Sequence, residues 1–484
     1  MRAWWIRVAV FVSGVVTLAV EFLGQRMLSP RFGDTIDVWG ITIAAVLVAI
    51  AVGTAFGGRL ADRLPYARAI GPVLLVSCAL LAACALVGPP ILDWLSPRTS
   101  DRVGALLGAL VVIVPGCTAL SLVTPMAVRV SVREDLVGRA AGDLSALATL
   151  GAVLGSIITP FWLIGLLPVP TLMLLCAVPI GLLAMPALVR SPGTAVAAVM
   201  GLGFIAVVAA LPSADTLRPG DRDGFGTVRA VVDSRLARIV ISDDDERRAM
   251  YFDRPQVVQS LIDRDQPHVP ASPYIAAATT LVCPKAPRRV LMIGLGGGAL
   301  LAPLRRLVPD VQVDAVELDP QVIRLAREWM GVRERPGDRF VAGDGRRFLQ
   351  STDRRYDLIY VDAFSGDRMP PTLATTEFAR LASQRLRPGG VLAFNVLTVP
   401  EAPLTDAIAA SARTSFPQLS AQEASPRRRL QNVLLRTGPL PQAACVDRVR
   451  TTLGVPDLEV VPRELQPREA LTDAEAPVDQ LAGL

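Results

Sequence analysis

Four short segments in the second half of the chain carry residue types suited to holding and transforming a nucleoside-like ligand. Gly294-Leu295-Gly296-Gly297-Gly298 directly follows the apolar run Arg289-Val290-Leu291-Met292-Ile293, and successive glycines let a ligand approach the backbone closely. Glu317 ends the next apolar run, 23 residues after Gly294, where an acid accepts hydrogen bonds from both ribose hydroxyls. Gly343-Asp344-Gly345-Arg346 follows the third run and brings a carboxylate within reach of an adenine amino group. Val361-Asp362-Ala363-Phe364-Ser365 closes the fourth. A Gly-rich turn alone is weak evidence. Four such segments in order, at the ends of successive strands, describe one ligand-binding edge.

The elements that must position them are legible from periodicity. Helices are expected at 299–308, 320–330, 345–351 and 375–386. They alternate with strands at 289–293, 312–317, 339–341, 358–361 and 391–395. This alternation predicts a doubly wound parallel sheet, which binds ligands at the carboxyl ends of its strands. Ahead of it, runs with period-two apolarity at 227–232, 237–241 and 248–252, separated by Asp-rich turns, predict a small antiparallel sheet. Residues 396–462 continue the main sheet, and 463–484 read as a polar, disordered tail.

The first half is a different material. Residues 1–212 hold 13 of the arginines and 9 of the acids, and mean hydropathy over the whole chain is +0.44. Seven apolar stretches are long enough to cross roughly 30 Å of hydrocarbon, near 7–25, 38–57, 70–90, 104–127, 144–166, 168–189 and 194–212. Small residues at helical spacing, Gly53 with Gly57 and Gly151 with Gly155, suit close helix packing. Glu21 lies inside the first span. The organisation expected is therefore a transmembrane domain over 1–212, a linker over 213–224, an antiparallel β domain over 225–285, an α/β domain over 286–462, and the tail.

Loop arginines cluster after the second span (Arg59, Arg63, Arg68) and after the fourth (Arg129, Arg133, Arg139). The positive-inside rule then carries the soluble half outside after seven crossings. A nucleotide-derived ligand argues for the cytoplasm instead, and on that ground a multi-pass protein of the cell membrane with a cytoplasmic soluble half is expected. Either one segment is re-entrant, or an additional crossing is hidden, or the charge rule fails here.

Composition excludes much else. There is one histidine, His268, and one lysine, Lys285. A Ser-His-Asp triad or paired-histidine zinc site would have to use a histidine in a Pro-flanked loop, and no P-loop lysine exists. The net charge of +5 lies mostly on arginines flanking the apolar segments, so no nucleic-acid partner is expected. Cys283 and Cys445 stand alone in the soluble half, and neither a metal site nor a disulfide is expected.

Ala299 after Gly298 breaks the dinucleotide fingerprint, and the acids after strands three and four favour an S-adenosyl ligand over NAD. The stretch from about 225 to 400 resembles spermidine synthases, the polyamine aminopropyltransferases. The whole chain resembles their membrane-fused bacterial relatives. The most specific stretch is Val361-Asp362-Ala363-Phe364-Ser365 followed by Met369-Pro370-Pro371 and Thr375-x-Glu377-Phe378.

The resemblance implies a class I methyltransferase-like Rossmann fold and transfer of an aminopropyl group from decarboxylated S-adenosylmethionine to an amine, without a metal. It assigns Asp362 as the base that deprotonates the attacking amine. It assigns Glu317 to the ribose and Asp344 with Gly345 to the adenine side. The glycines Gly294, Gly296 and Gly298 border the donor, as does Gln259 of the small sheet. Ser365, Asp367 and Tyr274 fall to the amine, and a homodimer is the assembly implied.

Departures from the family pattern cluster on the amine side. Gly297 stands where the family has the aspartate that grips the aminopropyl ammonium. Ser365 replaces the second aspartate of the Asp-Ser-Ser-Asp motif, with Asp367 two residues on, and Tyr274 is followed by Ile275-Ala276. Two alternatives stay open. One is a membrane-tethered methyltransferase using S-adenosylmethionine. The other is a non-catalytic adenosyl-binding module on a transporter-like membrane domain.

Overall fold

The computed structural model describes residues 3–32, 36–63, 66–131, 137–164, 166–188, 217–234, 236–253, 258–283, 285–364, 368–425, 430–476 and 478–482. It separates into two compact units, Met1–Leu217 with Asp233–Arg235, and Arg218–Val232 with Leu236–Leu484.

The first unit is helical: α1 (Ala3–Phe32), α2 (Ile36–Arg63), α3 (Tyr66–Leu95), α4 (Asp101–Val112), α5 (Val114–Ser121), α6 (Val123–Ser131), α7 (Val137–Ile158) and α8 (Val169–Leu188). Among the described residues, four helical stretches are long and apolar enough to cross a membrane: Trp4–Phe32, Asp37–Arg63, Ile70–Leu95 and Gly138–Leu163. The expected fourth span is a pair bent by 42° at Ile113, a broken span or a re-entrant loop. The apolar stretch of α8 is shorter, Val169–Met185, and the seventh expected span lies outside the described residues.

The paired glycines do pack backbone on backbone. A Cβ on Gly151 or Gly155 would come within 2.2 Å of the Phe11 or Val15 carbonyl oxygen, so α1 and α7 approach as closely as helices can. Leu47, Phe56, Leu150 and Trp162 are each more than half exposed, as suits side chains facing hydrocarbon.

The second unit opens with a five-stranded sheet paired in chain order: β1 (Arg222–Asp223), β2 (Gly226–Asp233), β3 (Arg238–Asp243), β4 (Arg247–Phe252) and β5 (Val258–Asp263). Asp243, the last residue of the middle strand β3, is buried and ion-paired with Arg229 and Arg248. These arginines hold its carboxyl below the usual carboxylate range, against the opposing effect of burial. The short helix α9 (Pro273–Thr279) follows.

Next comes the alternating α/β array: β6 (Arg289–Ile293), α10 (Leu301–Leu307), β7 (Gln312–Glu317), α11 (Pro320–Trp329), β8 (Arg339–Ala342), α12 (Gly345–Ser351), β9 (Tyr356–Val361), α13 (Thr376–Arg385) and β10 (Leu386–Thr398). It is completed by α14 (Leu404–Arg413), β11 (Leu419–Glu423), β12 (Gln431–Thr437), α15 (Ala443–Leu453), β13 (Val461–Arg463) and α16 (Val478–Ala482). The helix starts are chemically marked. Asp319 accepts from the Gln321 amide with Pro320 in the first turn, and Asp344 and Thr375 cap α12 and α13.

The sheet order is β13-β11-β12-β10-β9-β6-β7-β8. From β8 to β10 all strands are parallel, and the chain reverses its direction of travel between β6 and β9, where such sheets bind ligands. The sheet is mixed rather than wholly parallel, because β12 runs antiparallel to both β10 and β11. Local periodicity identifies a strand at 432–436 but does not give its direction.

Two further expectations are corrected. Cys283 and Cys445 form a disulfide across 162 residues, with Cα atoms 6.1 Å apart. The end of the α9 region and the first turn of α15 meet there, and no sequence spacing records it. The C-terminal segment expected to be disordered is packed. Leu471, Val478 and Ala482 are buried in the core on the α13–α14 face. The Leu471 amide donates to Ser411 Oγ at 2.8 Å and its carbonyl accepts from the Thr376 amide at 2.9 Å. Sparse apolar residues in a polar stretch suffice once a core face awaits them.

Candidate active site

Strand geometry brings the four predicted segments to one edge. Gly294 continues β6 and Asp362 continues β9, so they flank the point where the strand order reverses. The Asp362 amide donates to the Ile293 carbonyl at 2.8 Å. Gly294 has φ +92°, and a Cβ there would lie 2.1 Å from the Asp362 carbonyl oxygen, so only glycine permits this approach. Gly296 and Gly298 also have positive φ.

Glu317, at the end of β7, points back across the turn. Its Oε2 accepts from the amides of Leu295 at 3.0 Å and Gly296 at 3.2 Å. The carboxylate thus lies against the Gly-rich turn. Asp344, at the end of β8, is exposed and accepts from the Arg347 amide at 2.8 Å as the cap of α12. A Cβ on Gly345 would meet Ile293 Cγ2 at 2.3 Å, so this glycine serves packing between α12 and β6.

The small sheet closes the turn from the other side. Ser260 on β5 accepts from the Gly297 amide at 2.8 Å. The carbonyl of Gln259 accepts from the Tyr274 hydroxyl at 3.1 Å, so α9 and β5 are tied together beside the site. A side chain at position 297 would meet Met330 Cε and Ser260 Cβ, each at 2.7 Å.

Asp362 lies beside the Gly-rich turn, at the end of β9. Part of its surface is open, but its carboxylate lies among buried groups. Asn395 Nδ2 donates to Oδ1 at 2.7 Å, and the Tyr360 hydroxyl donates to Oδ2 at 3.3 Å. Desolvation pushes its pKa up to about 6. The two hydrogen bonds oppose that rise, and the Glu317 charge adds to it. Burial and the nearby Asp362 charge push the Tyr274 and Tyr360 phenols well above their ordinary value, so both remain neutral donors. Among the described residues, no group of three or more His, Cys, Asp or Glu side chains could hold a metal.

Residues 274–418 match the spermine/spermidine synthase domain family. The chain carries that domain. A polyamine aminopropyltransferase of Vibrio vulnificus is 35% identical over 149 residues, covering 30% of this chain and 49% of that protein. An eEF1A lysine and N-terminal methyltransferase of Danio rerio is 34% identical over 121 residues, covering 23% and 18%. A probable spermidine synthase of Corynebacterium glutamicum aligns with 51% of this chain and 97% of its own, at 18% identity and TM-score 0.45. The chain thus spans about half the length of the aminopropyltransferase.

Within the synthase domain and the sheet beside it, Gly294, Gly296, Gly298, Glu317 and Asp362 converge. Tyr274 and Gln259 border them, and Asp344 lies at the end of the next strand. Ser365 and Asp367 lie outside the described residues. Sequence reading missed Ser260, Tyr360 and Asn395. Tyr360 could have been found, since it lies two residues before Asp362 and shares its strand face. Asn395 carries a similar signal, as the polar residue inside the apolar run Val391-Leu392-Ala393-Phe394-Asn395-Val396.

Proposed function

We propose that the synthase domain transfers an aminopropyl group from decarboxylated S-adenosylmethionine to an amine, with Asp362 as general base, and that the helical unit attaches it to a membrane. The observation that carries this reading is a carboxylate at the sheet's reversal point, facing two neutral tyrosines beside a Gly-rich turn closed by Glu317. An amine of pKa near 10 is protonated at pH 7 and cannot attack carbon. A base with pKa about 6 is ionised at that pH, holds the ammonium, and takes its proton as nitrogen attacks the carbon bonded to the sulfonium. The C–S bond breaks, sulfur keeps the electron pair, and methylthioadenosine leaves.

Glu317, released from the turn amides or sharing them, would receive the ribose hydroxyls. Asp344, exposed at the end of β8, would face the adenine.

A second reading, methyl transfer from S-adenosylmethionine, is favoured by the crowding at Gly297. Met330 and Ser260 occupy the space a gripping carboxylate would need. Purified protein supplied with either donor and a mixture of amines decides between them. Methylthioadenosine marks aminopropyl transfer, S-adenosylhomocysteine marks methyl transfer, and neither product removes both. The side of the membrane is tested separately, by reporter fusions to the C-terminus. A cytoplasmic soluble unit suits an adenosyl donor, whereas the Cys283–Cys445 disulfide suits an oxidising compartment.

A further inference from the structure

We infer that Asn432 and Asn395 are positioning residues that set the charge state of Asp362 through a relay across three strands. This inference rests on the base role assigned above. Phe394 pairs with Val361 in the parallel β9–β10 ladder, so Asn395 and Asp362 are the next residues on their respective strands. Asn395 pairs with Leu434, and Leu397 with Asn432, in the antiparallel β10–β12 ladder. Asn432 is therefore diagonal to Asn395.

Asn432 Nδ2 donates to Asn395 Oδ1 at 3.0 Å, and Asn395 Nδ2 donates to Asp362 Oδ1 at 2.7 Å. An amide can present either its oxygen or its nitrogen to a neighbour. With the Asn395 oxygen engaged by Asn432, its nitrogen is the end turned to Asp362, where it favours the carboxylate. Turned over, the same amide would set oxygen against oxygen and favour the protonated acid.

Asn432 is itself held at its backbone. Its amide donates to Ser425 Oγ at 2.7 Å and its carbonyl accepts from the Ala424 amide at 2.8 Å. Asn395 is 3% exposed, so water is a poor substitute for either partner. Among the described residues, the other titratable groups facing Asp362 are Tyr360, Tyr274 and Glu317. The tyrosines stay neutral through the relevant range, leaving Glu317 as the other charge to account for among the described residues.

The test is a double-mutant cycle on the full chain in detergent, reading the protonation midpoint of the Asp362 carboxyl by infrared difference titration, with Asp362→Asn assigning the band. Asn395→Leu should raise the midpoint by about one pH unit, a tenfold weaker ionisation, because a hydrogen bond to a charged group is lost. Asn432→Leu should raise it by a smaller amount, and should add nothing once Asn395 is leucine. The acid limb of the turnover profile should move with the midpoint, with activity recovered at higher pH.

No shift in Asn432→Leu, or the same shift in both backgrounds, overturns the relay. Asn432→Leu alone decides it should Asn395→Leu fail to fold. If the parent turns over neither donor, the aminopropyl and methyl readings fail, while the titration still judges the relay.

Discussion

Asp362→Asn separates chemistry from architecture at the proposed base. The carboxyl's pKa is pushed from 3.8 to about 6, a rise of about two pH units at about 1.4 kcal/mol each. Keeping it ionised in the folded protein therefore costs at most about 3 kcal/mol. The folded state binds this proton more tightly than the unfolded chain does. Stability from this group accordingly falls as pH rises from 3.8 to about 6 and is level above.

Asparagine removes the charge and keeps the oxygen that accepts from Asn395. Pulse proteolysis of the full chain across a urea series should find the soluble unit of Asp362→Asn more stable than the parent at pH 8, by up to about 3 kcal/mol. The gap should close toward pH 4. Turnover should fall about 10²–10⁴-fold, as for loss of a general base, while calorimetry finds methylthioadenosine affinity nearly intact. Full turnover in the variant would refute the base assignment. A variant no more stable than the parent at pH 8 would refute the account of desolvation.

Three other outcomes are expected. Glu317→Ala should weaken methylthioadenosine binding ten- to a hundredfold in calorimetry, since hydrogen bonds to a charged group contribute about 1.5–3 kcal/mol; unchanged affinity would remove it from the site. Gly294→Ala, with φ +92° and a Cβ 2.1 Å from the Asp362 carbonyl, should displace Asp362 and lose turnover and ligand binding together, read by product assay and calorimetry. The Cys283–Cys445 bond closes a segment of 162 residues, for which chain entropy predicts about 5 kcal/mol of stabilisation. Cys283→Ser should lower the urea midpoint of the soluble unit accordingly. Alkylation of denatured protein with and without reductant should show two protected thiols in the parent.

What the sequence determined by itself was whatever local pattern encodes. Apolar runs ending in glycine or an acid placed Gly294, Glu317, Asp344 and Asp362 at successive strand ends, because a strand's end and the following cap are written within a few residues. The long apolar stretches marked helices for the same reason, and Gly151 and Gly155 marked a close packing face. Tertiary structure decided what depends on elements far apart in the chain. The antiparallel insertion of β12 carries Asn432 to a place two strands from Asp362, although 70 residues separate them. Cys283 meets Cys445 only because the turn Thr280–Val282 after α9 packs against α15. The C-terminal segment is ordered only because the α13–α14 face offers its few leucines and valines a core. Ser260 and Met330 crowd Gly297 from two different elements, so the pocket that the Gly-rich turn opens is shaped by residues the turn's own sequence does not contain.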